Sequence, residues 1–161
     1  MKIIKPGSQY DQQTPEFGSV EVFLAGSIEM GKSEDWQSIV PTHFQDKKVT
    51  FYNPRRDEWD SSWAQEQSNP QFNFQVNWEL SKLDKSDIIF MYFSPETKSP
   101  ISLLELGAFG KSGKMIVCCP EGFWRRGNVE IFCTRYDIPF FNTMEEAIGS
   151  LMTKISKFGV L

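Results

Sequence analysis

The chain has 161 residues, 40% of them apolar and 24% charged, with a formal net charge of −4. That length and composition suit one globular domain with a real core and exclude a disordered chain. The acidic balance argues against a nucleic-acid polymer as partner, and no apolar stretch approaches the ~20 residues needed to span a bilayer.

Residues 1–18 are polar, lack the apolar core of a signal peptide, and are expected to form an extended arm ahead of a domain over 19–161. Val20 to Gly26 is short and largely apolar, as a buried parallel strand should be. A turn from Gly26 to Gly31 follows, and Ser33 suits the cap of a helix to about Gln45, with Pro41 placed to kink or divide it. Val49 to Tyr52 is the second strand. The polar loop from Asn53 to Asn69 is longer than such connections usually are, and long loops are often functional.

Pro70 suits the first position of a helix in which Phe72, Val76, Leu80 and Leu83 form the expected apolar stripe, leaving Trp78 and Glu79 on its flanks. Asp87 to Phe93 is the third strand, and Ser99-Pro100 opens a helix to about Lys111. Met115 to Cys119 is the fourth strand, Asn128 to Tyr136 a short helix, and Ile138 to Phe141 a last strand whose Pro139 fits an edge. Thr143 with Glu146 makes a capping box for the closing helix. Strands alternating with helices predict an α/β fold: one doubly wound, flavodoxin-like domain. Its expected sheet is parallel and five-stranded, in the order 2-1-3-4-5, with helices on both faces. Cys118, Cys119 and Cys133 lack metal spacing and their odd number leaves no closed disulfide framework. With His43 the only histidine, neither a metal site nor a cofactor is expected, and a reducing cytoplasm is the expected compartment.

Three segments follow the carboxyl ends of strands and should meet at one rim of the sheet, where open α/β folds bind ligands. The first offers Gly26, Ser27 and Ile28, small residues with backbone N–H groups suited to a phosphate or sugar hydroxyl. The second concentrates Asn53, Arg55, Asp57, Trp59 and Asp60, mixing carboxylates, a guanidinium and an indole. The third carries Ser99, Ser102 and Glu105. Glu105 sits about two turns into an apolar helix, where a carboxylate must be paired, solvated in a cleft or shifted in pKa. Glu79 is a candidate second acid and Trp78 a candidate stacking platform; solvated loops, ion pairs and core packing are the competing explanations for these groups. Trp59, Trp63 and Trp78 belong to an aromatic-rich set, 14 Phe and 5 Trp, that mostly fills core and interface.

Val22-Phe23-Leu24-Ala25-Gly26-Ser27, then Trp78-Glu79-Leu80 ahead of Ser86-Asp87-Ile88-Ile89, then Leu104-Glu105-Leu106-Gly107 with Gly113-Lys114, resemble the nucleoside 2-deoxyribosyltransferase superfamily. The resemblance implies that Glu105 is the nucleophile, kept ionised by the positive end of its helix, and that Glu79 assists it. Asp57 or Asp60 is a further candidate acid for the departing base. The implied substrate is a small nucleoside or nucleotide, and relatives assemble as dimers or larger rings, so a homo-oligomer is expected. Ser99 stands where transferases commonly have aspartate, and Phe23 where a tyrosine is frequent. Ser99 with the Gly26-Ser27-Ile28 turn is similar to deoxynucleoside 5′-monophosphate N-glycosidases, in which these residues hold the phosphate. The implied activity is sugar transfer between bases; hydrolysis of the same bond, nicotinamide release from NAD, and nucleotide sensing without chemistry are the alternatives.

Overall fold

In the computed structural model, which describes residues 1–7, 13–28, 34–56 and 60–159, six strands form one parallel sheet. They are β1 (Lys2–Ile4), β2 (Val20–Gly26), β3 (Val49–Tyr52), β4 (Ile88–Tyr92), β5 (Met115–Cys118) and β6 (Phe140–Phe141), in the order β1-β3-β2-β4-β5-β6. The five expected strands keep their predicted order. The sixth corrects the expected count of five: Lys2, Ile3 and Ile4 pair with Thr50, Phe51 and Tyr52 and add an edge strand to the sheet. Ile4 is buried in the core, so β1 gains apolar burial as well as ladder hydrogen bonds.

The helices are α1 (Trp36–Ile39), running on into a 3-10 segment Val40–Phe44, then α2 (Pro70–Lys85), α3 (Pro100–Phe109), α4 (Arg126–Arg135) and α5 (Met144–Ser156). Pro41 divides the first helix as its fixed φ and missing N–H predict. That helix begins after Asp35; Ser33, its expected cap, lies outside the described residues. The Thr143–Glu146 capping box is present on α5, with Thr143 Oγ1 accepting from the Glu146 N–H at 3.3 Å.

Alternation along the central strands splits the core in two. On one face Phe23, Ala25, Ile89, Met91 and Val117 pack against α2, α3 and α4 through Trp78, Leu83, Leu106, Val129 and Cys133. On the other Val22, Leu24, Phe90 and Ile116 pack against Trp36, Phe44, Ile148 and Leu151. The expected stripe on α2 is corrected here. Leu80 is exposed, whereas Gln75, Trp78 and Leu83 are buried, so the inward face carries an amide and, partly buried beside Trp78, the carboxyl of Glu79. Apolar periodicity cannot see an inward face that is deliberately polar.

Candidate active site

The rim begins where β2 meets β4. Gly26 pairs with Tyr92 at φ 129°, and a Cβ there would lie 2.1 Å from the Tyr92 carbonyl oxygen, so only glycine lets the strands stay in contact. Ser27 then donates its N–H to the same oxygen at 2.9 Å, which turns its side chain toward the segment after β4. Ser27 Oγ accepts from the Ser94 N–H at 2.9 Å and lies 2.8 Å from Thr97 Oγ1 and 2.6 Å from Ser99 Oγ. Thr97 Oγ1 closes the triangle, 2.8 Å from Ser99 Oγ, and lies 3.0 Å from the Ser94 carbonyl. Ser99 holds a left-handed backbone, φ 44°, a costly conformation for a residue with a Cβ. Ser99 is the N-cap residue of α3, yet no side-chain capping bond forms there, because its hydroxyl is committed to the triangle.

From that start α3 presents Ser102 and, one turn on, Glu105 on its buried side. Glu105 is 9% exposed, and among the described residues no hydrogen bond or ion pair reaches its carboxylate. Burial, and then the neighbouring charge of Glu79, push its pKa up to about 8. Desolvation and the second carboxylate thus act against the positive end of the helix, which favours the ionised form. Burial likewise raises Glu79 to about 7, partly offset by the hydrogen bond that Gln75 Nε2 donates to its Oε1 at 2.6 Å. The two acids are therefore coupled, and near neutral pH the ionisation of Glu79 opposes that of Glu105.

The loop after β3 closes the third side. Asn53 is buried; its N–H donates to Ile4 O at 2.9 Å and its Oδ1 accepts from the Arg55 N–H at 2.9 Å. Gln75 Nε2 also donates to Pro54 O at 3.0 Å, tying this loop to α2 beside Glu79. Arg55 Nε lies 3.2 Å from Asp35 Oδ1, which joins the loops after β2 and β3. Asp60 sits in an exposed turn, where the Ser62 hydroxyl and N–H hold its carboxyl below the ordinary range. Trp78 is packed in the core, 6.3 Å from the Phe23 ring and 6.2 Å from the Tyr52 ring. Ile28 continues from Ser27, partly buried. Asp57 and Trp59 lie outside the described residues.

Sequence reasoning missed Gln75, which holds the Glu79 carboxylate, and Ser94 and Thr97, which hold the hydroxyl triangle in place. Gln75 had one readable signal, its position one turn before Glu79 on the same helix face. Two surface hollows, about 280 Å³ around Phe132 and Tyr136 and about 440 Å³ between Pro139 and Phe158, lie elsewhere and touch none of these groups. All three cysteines are buried with thiols raised to about 12, which leaves them unreactive. Among the described residues no helix is long and apolar enough to cross a membrane.

No curated protein matches the chain. Among solved structures it is similar to a conserved protein from Enterococcus faecalis V583, at 10% identity and a TM-score of 0.62, over 84% of this chain and 99% of that one. That likeness concerns the fold. A family model described as nucleoside 2-deoxyribosyltransferase like matches residues 19–123, from β2 past the glutamate helix to the loop after β5, and the chain belongs to that family.

Proposed function

We propose that this protein is an enzyme of the N-glycosidic bond, transferring a 2-deoxyribosyl group between bases with Glu105 as nucleophile and Glu79 as acid–base partner. One observation carries the reading: two carboxyls, desolvated and coupled, stand at the carboxyl edge of a parallel sheet with no cation paired to either among the described residues. Structural carboxylates are normally neutralised by a partner, whereas an acid–base pair needs pKa values near the working pH.

With one proton on the pair, positive charge developing at C1′ draws the negative charge to Glu105 and leaves the proton on Glu79. A Glu105 oxygen bonds to C1′ as the C1′–N bond breaks. That bond's electron pair leaves with the base, which takes the proton from Glu79. An incoming base then attacks C1′, gives its N–H proton to Glu79 and frees the Glu105 carboxylate. Water in place of that base gives hydrolysis. The buried hydroxyl triangle, standing where an acid is usual in transferases, favours this second outcome on a phosphorylated substrate. A homo-oligomer is supported by Ile101 and Leu104, 60% and 69% exposed on the outer side of α3; a monomeric mass in light scattering would overturn it.

Chromatography of deoxynucleosides and their monophosphates, incubated with and without a second base, tests the reading. The expected result is new nucleoside only when the second base is present, and a loss of at least 10³-fold in Glu105→Ala. Turnover unchanged in that variant, or none across the panel, would sink it.

A further inference from the structure

Arg56 is a charged group at the rim that the mechanism does not use. Arg56 follows Arg55 on the loop leaving β3, and its guanidinium carbon lies 4.9 Å from the centroid of the Trp63 ring. Its Nε and Nη1 are shut from water, and among the described residues neither finds an acceptor. Arg55 Nε likewise has no hydrogen-bond partner, but its charge is matched by the Asp35 carboxylate at 3.2 Å and its Nη2 donates to the Glu34 carbonyl; Arg56 has no carboxylate paired to it among the described residues. A buried N–H without an acceptor is costly, more so on a cation, and native proteins keep few of them.

Two further groups nearby are left in the same condition. Asn53 is 1% exposed and Gln75 4%, yet among the described residues Asn53 Nδ2 and Gln75 Oε1 have no partner. Their amides are not simply turned the wrong way. Asn53 Oδ1 is fixed by the Arg55 N–H, and Gln75 Nε2 is fixed by the Pro54 carbonyl. One short stretch of loop and the helix against it thus carry unused donors and an unused acceptor. A neutral polar edge of a ligand could satisfy the two amides. It would leave the guanidinium uncompensated, because Arg is charged at every working pH and wants an oxyanion.

We propose that Arg56, its plane set by Trp63, is a specificity-determining residue that receives an anionic oxygen of the substrate, a carboxylate or a phosphate. The identity of that substrate as a nucleoside rests on the function proposed above; the capture of an anion does not.

The test compares three ligands: a neutral deoxynucleoside, its 5′-monophosphate, and a deoxynucleoside whose pyrimidine carries a carboxylate. Each is assayed with wild-type protein, Arg56→Gln and Arg56→Lys. One of the two anionic substrates is expected to exceed the neutral one at least tenfold in kcat/KM, and which one identifies the phosphate or the carboxylate as the group received. Arg56→Gln should erase that preference through KM rather than kcat, and Arg56→Lys should restore part of it. An anionic-to-neutral ratio unchanged in Arg56→Gln, or a wild-type preference for the neutral ligand, overturns the proposal. Calorimetric titration of the same ligands into Glu105→Gln needs no turnover. Arg56-dependent anion binding without product in the wild type would sink the glycosidic reading and keep this one. Turnover without Arg56 dependence would do the reverse.

Discussion

Two carboxyls kept from water beside each other cannot both ionise cheaply, so Glu79 and Glu105 give up protons in steps near 7 and 8. Below the first step both are neutral and no nucleophile is present; above the second both are charged and no proton remains for the leaving base. The rate is therefore expected to be bell-shaped in pH, with its maximum between about 7 and 8, and a profile flat from 5 to 9 would contradict the pairing. The same shifts bear on stability. Unfolded, each carboxyl titrates near its ordinary 4.5, so between that pH and the folded values the native state holds more protons. Stability from this source is greatest below the unfolded value and is lost as pH rises through the folded ones. Glu105→Gln, which keeps the shape without the charge, should raise stability at pH 8 by about 1–3 kcal/mol while removing activity. Chemical denaturation at pH 5 and pH 8 checks this: the variant's gain must be larger at the higher pH.

At the scale of elements, the site depends on how close β2 and β4 stand at their carboxyl ends. Gly26→Ala would drive a Cβ into the Tyr92 backbone and force the Ser27 hydroxyl out of its triangle. A loss of about 2 kcal/mol is expected, with activity falling further than stability accounts for; a variant with unchanged midpoint and turnover would refute this use of the glycine. The strand-turn containing Gly26 was legible in the sequence, as was the strand–loop–helix that delivers Glu105, because each pairs a short apolar run with turn chemistry. The left-handed Ser99 was not, since Ser-Pro reads as an ordinary helix start and the triangle depends on residues from two distant loops. The inward face of α2 was misread for a related reason. Apolar spacing selects Leu80, yet Gln75 and Glu79 turn toward the interior, where local preference yields to the needs of a site.

At the scale of the whole molecule, the sheet order followed from element alternation, while the edge strand β1 did not, being three residues whose pairing is set by β3 rather than by local pattern. That strand links the sheet's edge to the site. Ile4 seats its side chain in the core cluster shared with Tyr52 and Trp78, and its carbonyl receives the Asn53 N–H at the root of the loop that carries Arg55 and Arg56. Ile4→Ala removes only the side chain and should cost about 2–4 kcal/mol, as large-to-small core changes do. Deleting residues 1–5 removes the carbonyl too and leaves the buried Asn53 with a further unpaired donor. If β1 merely covers an edge, both variants should keep the KM of the parent at temperatures where they remain folded. If β1 holds the loop in register, as the Asn53 bond implies, the deletion should raise KM several-fold more than Ile4→Ala does at matched folded fraction. Steady-state kinetics of the two, beside their unfolding curves, separates a strand that stabilises the fold from one that also positions the substrate.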